Sequence, residues 1–434
     1  MSETRERRSM GRMPVWRRER LPRKVEVGLL VGVLVVALGL RVTYLQVTGI
    51  WHRPPEHDGI EYDFLAVHLL DGEGFSLADG EPYGFRPPGL PVVMALLYAV
   101  FGQSYLAVRL MNVVLGALTC LPIYYFTKRV WRWQTGVIAA LGVAAHPLLI
   151  YFTGMIYPES LIIFLIAIVF LLANWAMASG RIAAMVPLGL VSAVLIYVRP
   201  SLLLFGLGHV VWVWFSRETI RKRLVAGGVL VAVILLLIVP WSVRNWIVFD
   251  EFIWMATEGG VTFWASNNPL ATGGWVEPSP ETWLGPDPPR DLRGWPGLTE
   301  TESEARFIAA GVEWIWGHPV EFLRLLPRKI VRAWGINFGN EARQSDLPAP
   351  VSVAYSLFLL VCLIGFVLSL SRWREAMVLY LMVGVSTVTT LIFYGSTRQS
   401  SILILPLVIF AALALDRALL AVAEGLSSMR KVDR

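Results

Sequence analysis

The stretch His57–Phe75, HDGIEYDFLAVHLLDGEGF, crowds three acids, Asp58, Glu61 and Asp63, just past the end of a long apolar segment. A carboxylate held in this way takes a proton from a hydroxyl as a general base. More simply, it caps a helix N-terminus, which is worth about 1 kcal/mol. Spacing leaves both roles open for Asp58, and they are compatible. Tyr62, Ala66 and Leu69 recur on one helical face, so Asp58 is expected to open an amphipathic helix lying against the membrane. Glu159, in FTGMIYPESL, is the second acid. Pro158 and Glu159 make an ordinary helix start, yet a carboxylate at membrane depth marks a functional site.

Cations accompany these acids. Arg86 sits in YGFRPPGLP, where two prolines fix an extended entry into the next helix, and its guanidinium suits bidentate phosphate binding. Arg199 (YVRPS), Arg244 (PWSVRNW) and Arg398 (YGSTRQSS) each interrupt or end an apolar run. All three fall at expected outer ends, against the positive-inside trend. Something anionic should hold them there, either lipid headgroup phosphate or a bound pyrophosphate or phosphodiester substrate. Lys329 lies within PVEFLRLLPRKIVRAW, where Arg324, Arg328 and Arg332 at i, i+4, i+8 form one basic stripe beside the membrane.

The elements that must position these residues are membrane spans. The chain is 56% hydrophobic with a mean hydropathy of +0.59, and about 20 apolar residues cross a bilayer. The expectation is an all-α polytopic membrane protein of about ten transmembrane helices: 26–47, 105–127, 135–152, 159–178, 182–198, 201–215, 224–243, 351–371, 376–394 and 400–417. Pro87–Gly102 is too short to span and reads as an interfacial or re-entrant helix.

The net charge of +6 resides entirely in residues 1–24, which carry nine Lys/Arg and three acids. This basic tail, with KRVWRW, Arg181, SRETIRKR, SRWR and the C-terminal basic residues, is expected on the cytoplasmic side. No fold accompanies it that would bind nucleic acid, and the apolar run behind it is too long for a cleaved signal.

The expected organisation is a cytoplasmic tail (1–25), a transmembrane core (26–243) with a first outer loop (48–104), an extracytoplasmic loop region (244–350), further transmembrane helices (351–417) and a cytoplasmic tail (418–434). Region 244–350 holds nine of the 18 tryptophans, whose faces either line a glycan groove or anchor the membrane interface. It also carries a helix start at TESEAR and a second helix opening at Pro319.

No phosphate-binding GxxxxGK[ST] loop, GxSxG elbow or HExxH motif is present. The two cysteines, Cys120 and Cys362, lie in apolar runs and make neither disulfide framework nor metal site. Asp58, Glu61, Glu159 and His57 offer ligand types for a divalent cation, and no metal or other cofactor is assigned. The cytoplasmic loops are too short for a nucleotide-sugar domain, which points to a lipid-linked donor.

In Asp58 with Tyr62, Ala66, Leu69 and GEGF, in RPPGLPVVMALLYAVFG, YPESL, VRP, PWSVRNW, GGVTFWASNNPLATGG, HPVEFLRLLPRKIVRAWG and YGSTRQSSILILPL, the chain resembles the GT-C class of integral-membrane glycosyltransferases. Within it, the chain is most similar to the branch of protein O-mannosyltransferases and lipid A aminoarabinose transferases. The resemblance covers most of residues 26–417. It implies a polyprenyl-phosphate sugar donor and transfer on the extracytoplasmic face, to a lipid, glycan or protein acceptor, and one base with direct attack predicts inversion. It further implies Asp58 at the catalytic centre with Glu159 as the acid of the second outer loop, and Arg398 beside the lipid phosphate. Glu61, Tyr62, Arg86, Arg199, Arg244 and Lys329 complete the expected substrate-binding set. The sequence departs from the family at Gly59, where an acid is usual, and at Gln399, where Tyr is usual.

Two rival readings are a secondary transporter, which needs helix breaks and acids near the midplane in related halves, and a non-catalytic protein that binds lipid-linked sugar.

Overall fold

The computed structural model describes residues 21–76, 80–215, 219–278, 283, 294–295, 297–335 and 349–432. They form α1 (Arg23–Thr48), α2 (Asp58–Asp71), α3 (Gly89–Phe101), α4 (Tyr105–Leu118), α5 (Cys120–Val130), α6 (Trp133–Ala145), α7 (Pro147–Gly154), α8 (Glu159–Ser179), α9 (Met185–Val198), α10 (Leu203–Trp214), α11 (Ile220–Phe249), α12 (Glu258–Trp264), α13 (Glu300–Gly317), α14 (Pro319–Trp334), α15 (Ala349–Ser369), α16 (Trp373–Ile392) and α17 (Ile404–Val432). Among the described residues Ser76 and Pro82 pair in an isolated antiparallel bridge, and no strand is formed. The chain is all-α, as expected.

Among the described residues six helical runs are long and apolar enough to cross a membrane, or seven if the bent pair α6–α7 is one span. The expected ten are not all reached. Segments 182–198 and 201–215 form shorter apolar helices, and 351–371 and 376–394 belong to one run, Val353–Ile392, carried through a 3-10 turn at Leu370–Arg372. The α6–α7 bend falls at Pro147, whose ring cannot continue a helix. Near this bend Arg41 of α1 donates to the carbonyls of Ala144 (3.0 Å) and Val143 (3.4 Å).

The large core centres on α8 and α17. α17 is buried continuously from Ile404 to Ala414. α15 packs on it so closely that a Cβ at Gly365 would overlap the Phe410 backbone.

The two non-spanning regions meet in a second core of Leu65, Phe75, Tyr83, Phe85, Val261, Trp264, Trp295 and Phe307. Trp264 and Trp295 therefore build a protein interior, neither a glycan groove nor a membrane anchor, whereas Trp246 and Trp316 are exposed. α2 differs from expectation in the same way: Tyr62 and Ala66 face Leu90, Met94 and Tyr98 of α3 rather than the membrane. The buried Asp63 fixes this docking, accepting from Tyr98 (2.6 Å), Gln103 (2.9 Å) and Tyr105 (3.0 Å).

Candidate functional site

Asp58 is the first residue of α2, and the preceding His57 has a positive φ of 52°. No side chain caps this helix, so the N-cap role open for Asp58 is not the one it plays. Its carboxylate instead lies between two guanidiniums. Arg86 Nη2 donates to Oδ1 at 2.9 Å, and Arg398 Nη1 donates to Oδ2. Gly59 makes the approach possible: a Cβ there would sit 3.1 Å from both the Ile156 carbonyl and the Pro55 side chain. The absence of a side chain lets α2 start against the turn that leads into Glu159.

Arg86, held by the Pro87–Pro88 pair, is 11% exposed and serves three carboxylates. Besides Asp58 it donates from Nε to Glu61 Oε2 (2.5 Å) and from Nη1 to Glu258 Oε2 (2.9 Å). Its guanidinium also lies over the rings of Phe85 and the buried Tyr62. Arg398 donates from Nε to Glu159 Oε1 at 2.6 Å and lies 4.4 Å above the Tyr157 ring centre. Glu159 is buried at the start of α8, with Oε2 enclosed and unpartnered. Arg199 completes the group: its Nη1 is enclosed without a partner, within electrostatic reach of Glu159, Arg398 and Glu258. Four carboxylates thus surround three arginines.

Burial would raise the Asp58 pKa, but Arg398 and Arg86 outweigh it and hold the carboxyl below its ordinary value. Burial dominates at Glu258 and, with the Asp58 charge, pushes that carboxyl up despite Arg86. Asp58 is therefore ionised at neutral pH and stabilised in that form.

Of the expected residues, Asp58, Glu61, Tyr62, Arg86, Glu159, Arg199 and Arg398 converge. Arg244 and Lys329 have other partners. Arg244 donates to the Phe75 carbonyl (3.2 Å) and Asn245 Oδ1 (3.0 Å) and lies over Trp241, fastening the segment at Phe75 to α11. Lys329, fully buried, donates to Asn267 Oδ1 (2.7 Å) and the Leu391 carbonyl (3.1 Å). Glu258 was not singled out from the sequence. Its only signal is an acid ahead of the Gly-Gly pair in ATEGGVTFW. Among the described residues no three His, Cys, Asp or Glu side chains are grouped to hold a metal, and Asp58, Glu61 and Glu159 each face a guanidinium.

Residues 85–243 match the family model of dolichyl-phosphate-mannose-protein mannosyltransferases. A comparison with curated protein sequences gives no match. The structure is similar to the apo oligosaccharyltransferase of Archaeoglobus fulgidus (TM-score 0.55, 15% identity), covering 95% of this chain and 52% of that one. It is similar to the same protein, AglB, in complex with an inhibitory peptide and a dolichol-phosphate (TM-score 0.51, 15% identity, 94% and 52% covered). ArnT from Cupriavidus metallidurans aligns with a TM-score of 0.42 at 16% identity, over 91% of this chain and 78% of that one. The chain thus spans about half the length of the archaeal enzyme it resembles. With an all-α architecture, several membrane-length helices, the match over residues 85–243 and the likeness to the archaeal oligosaccharyltransferase, the chain has the GT-C fold of integral-membrane glycosyltransferases.

Proposed function

We propose that the protein is a glycosyltransferase that moves a sugar from a polyprenyl-phosphate donor to an acceptor on the extracytoplasmic face of the membrane. The observation that carries this reading is the Asp58 carboxylate held between Arg86 and Arg398, the latter also paired with Glu159. A base and a phosphate-binding cation then sit side by side outside the spans. The family model over residues 85–243 supports the donor class, as does the dolichol-phosphate held by the structurally similar AglB.

In the resting site Arg398 is occupied by Asp58 and Glu159. A donor phosphate competes for that guanidinium, and Arg199 offers it a second cation. As Arg398 turns to the phosphate, Asp58 loses its strongest stabilising charge and becomes a better base. Asp58 takes the proton from an acceptor hydroxyl, and the acceptor oxygen attacks the anomeric carbon. The bond from that carbon to the phosphate oxygen breaks, and polyprenyl phosphate leaves with the electron pair. The transition state has oxocarbenium character, and a single direct attack inverts the anomeric centre. Arg398 and Arg199 stabilise the charge that grows on the phosphate. Arg86 keeps Asp58 aimed, and Glu159 keeps Arg398 in reach.

The test is transfer in liposomes with radiolabelled polyprenyl-phosphate mannose, arabinose and glucose supplied in turn. Release of polyprenyl phosphate from one donor supports the reading and names the sugar. Absence of binding to every donor contradicts it.

A further inference from the structure

α14 has two unlike sides. Leu325, Lys329 and Ala333 are buried against the protein. On the opposite side Val320, Leu323 and Val331 are 53%, 62% and 71% exposed, with Pro327 exposed between them. These four recur at helical spacing and form one apolar stripe. Arg324 and Arg328, both exposed, run along its edge, and Glu321 is the only acid of the helix.

The position of α14 says what covers the stripe. Lys329 hydrogen-bonds the Leu391 carbonyl, at the last turn of the membrane-length run Val353–Ile392. α14 therefore packs against the end of a membrane-length helix, and the end of such a helix is where hydrocarbon gives way to headgroups. Its buried side also packs on the turn after that span, where Gly395 touches the Lys329 carbonyl three residues before Arg398.

We infer that α14 is an interfacial helix that lays its apolar stripe into the bilayer, holds anionic headgroup phosphates with Arg324 and Arg328, and so steadies the turn carrying Arg398. An amphipathic helix at this depth gains from apolar burial and from anionic lipid together. An arginine near an anionic surface favours the contact about fivefold, so the pair favours it roughly 30-fold. The lipid contact stands independently of the proposed transfer reaction. Only the consequence for Arg398 rests on that reading.

The experiment places a bimane label at Leu323→Cys, and separately at Val331→Cys, in full-length protein. Native Cys120 and Cys362 are buried and do not compete. The labelled protein enters nanodiscs of phosphatidylcholine with or without phosphatidylglycerol. The expected result is quenching by spin-labelled lipid at both sites, stronger with phosphatidylglycerol, with that lipid dependence lost in Arg324→Gln/Arg328→Gln. Quenching by aqueous iodide without lipid quenching overturns the inference, and points to a soluble or protein partner for the stripe. Lipid quenching indifferent to phosphatidylglycerol and to the two substitutions overturns it as well.

Discussion

Arg398 and Asp58 stand 340 residues apart in sequence, and the Arg398 guanidinium donates directly to the Asp58 carboxylate. This pairing joins the start of α2 to the turn that precedes the last membrane-length run, Gln399–Ser427. It has a measurable consequence for pH dependence. Arg398 is the largest charge holding the Asp58 pKa down. Arg398→Gln should therefore move the acidic limb of kcat/KM, which reports the free enzyme, to higher pH, because Asp58 then stays protonated to a higher pH. The same variant should bind polyprenyl phosphate more weakly. The pH profile of transfer, measured beside binding of the lipid phosphate, checks both.

Arg86 makes a second prediction. One nearly buried guanidinium serves Asp58, Glu61 and Glu258, and removing it leaves three carboxylates facing one another. Losing one partner of a buried pair costs about 3–5 kcal/mol. Arg86→Gln should lower the thermal midpoint clearly in detergent. Arg86→Lys should recover only part, since an ammonium cannot offer the three-way fork.

Lys329 titrates in reach of neutrality, because burial pushes its pKa down to about 7. The unfolded chain has the ordinary lysine value of about 10.4 and binds more protons over the interval between. Its contribution to stability therefore rises with pH from about 7 to about 10 and is least favourable below 7. Lys329→Met should gain most, relative to wild type, below pH 7, and the gain should shrink as pH rises. Paired thermal melts at pH 6 and pH 9 provide the check.

Gly395 tests the seat of the Arg398 turn. A Cβ there would overlap the Lys329 carbonyl and sit 2.8 Å from the Ala333 amide nitrogen. Overpacking of this kind costs typically 1–3 kcal/mol. Gly395→Ala should lower the thermal midpoint and reduce transfer by displacing Arg398, with no acid or base removed.

Local features were legible in the sequence. A helix start was expected at TESEAR and α13 begins just ahead of it, on the Thr299–Glu302 capping box, while Pro319 opens α14 where the proline says it should. The converging acids and arginines were legible as types, because charges at the ends of apolar runs are costly and conspicuous. Their partners were not legible, since pairing depends on packing between helices far apart in the chain. Asp58 fits a local N-cap by spacing, yet its carboxylate is claimed by two arginines from elsewhere. Arg244 has the same local signature as Arg398, yet the backbone carbonyl of Phe75 takes it away from the site. Glu258 escaped notice because only the fold brings α12 to Arg86. The span count suffered from a similar limit: composition identifies 182–198 and 201–215 as apolar, but the helices formed there are short.

The central claim is that Asp58 is the base of sugar transfer from a lipid-linked donor. Wild-type and Asp58→Asn proteins, each reconstituted in liposomes and checked for equal membrane insertion, would be given the donor that wild type accepts, with release of polyprenyl phosphate as the readout. Loss of a general base lowers the rate about 10²–10⁴-fold, and a drop of that size, with donor binding retained, is the predicted result. Transfer by Asp58→Asn at the wild-type rate would contradict the account.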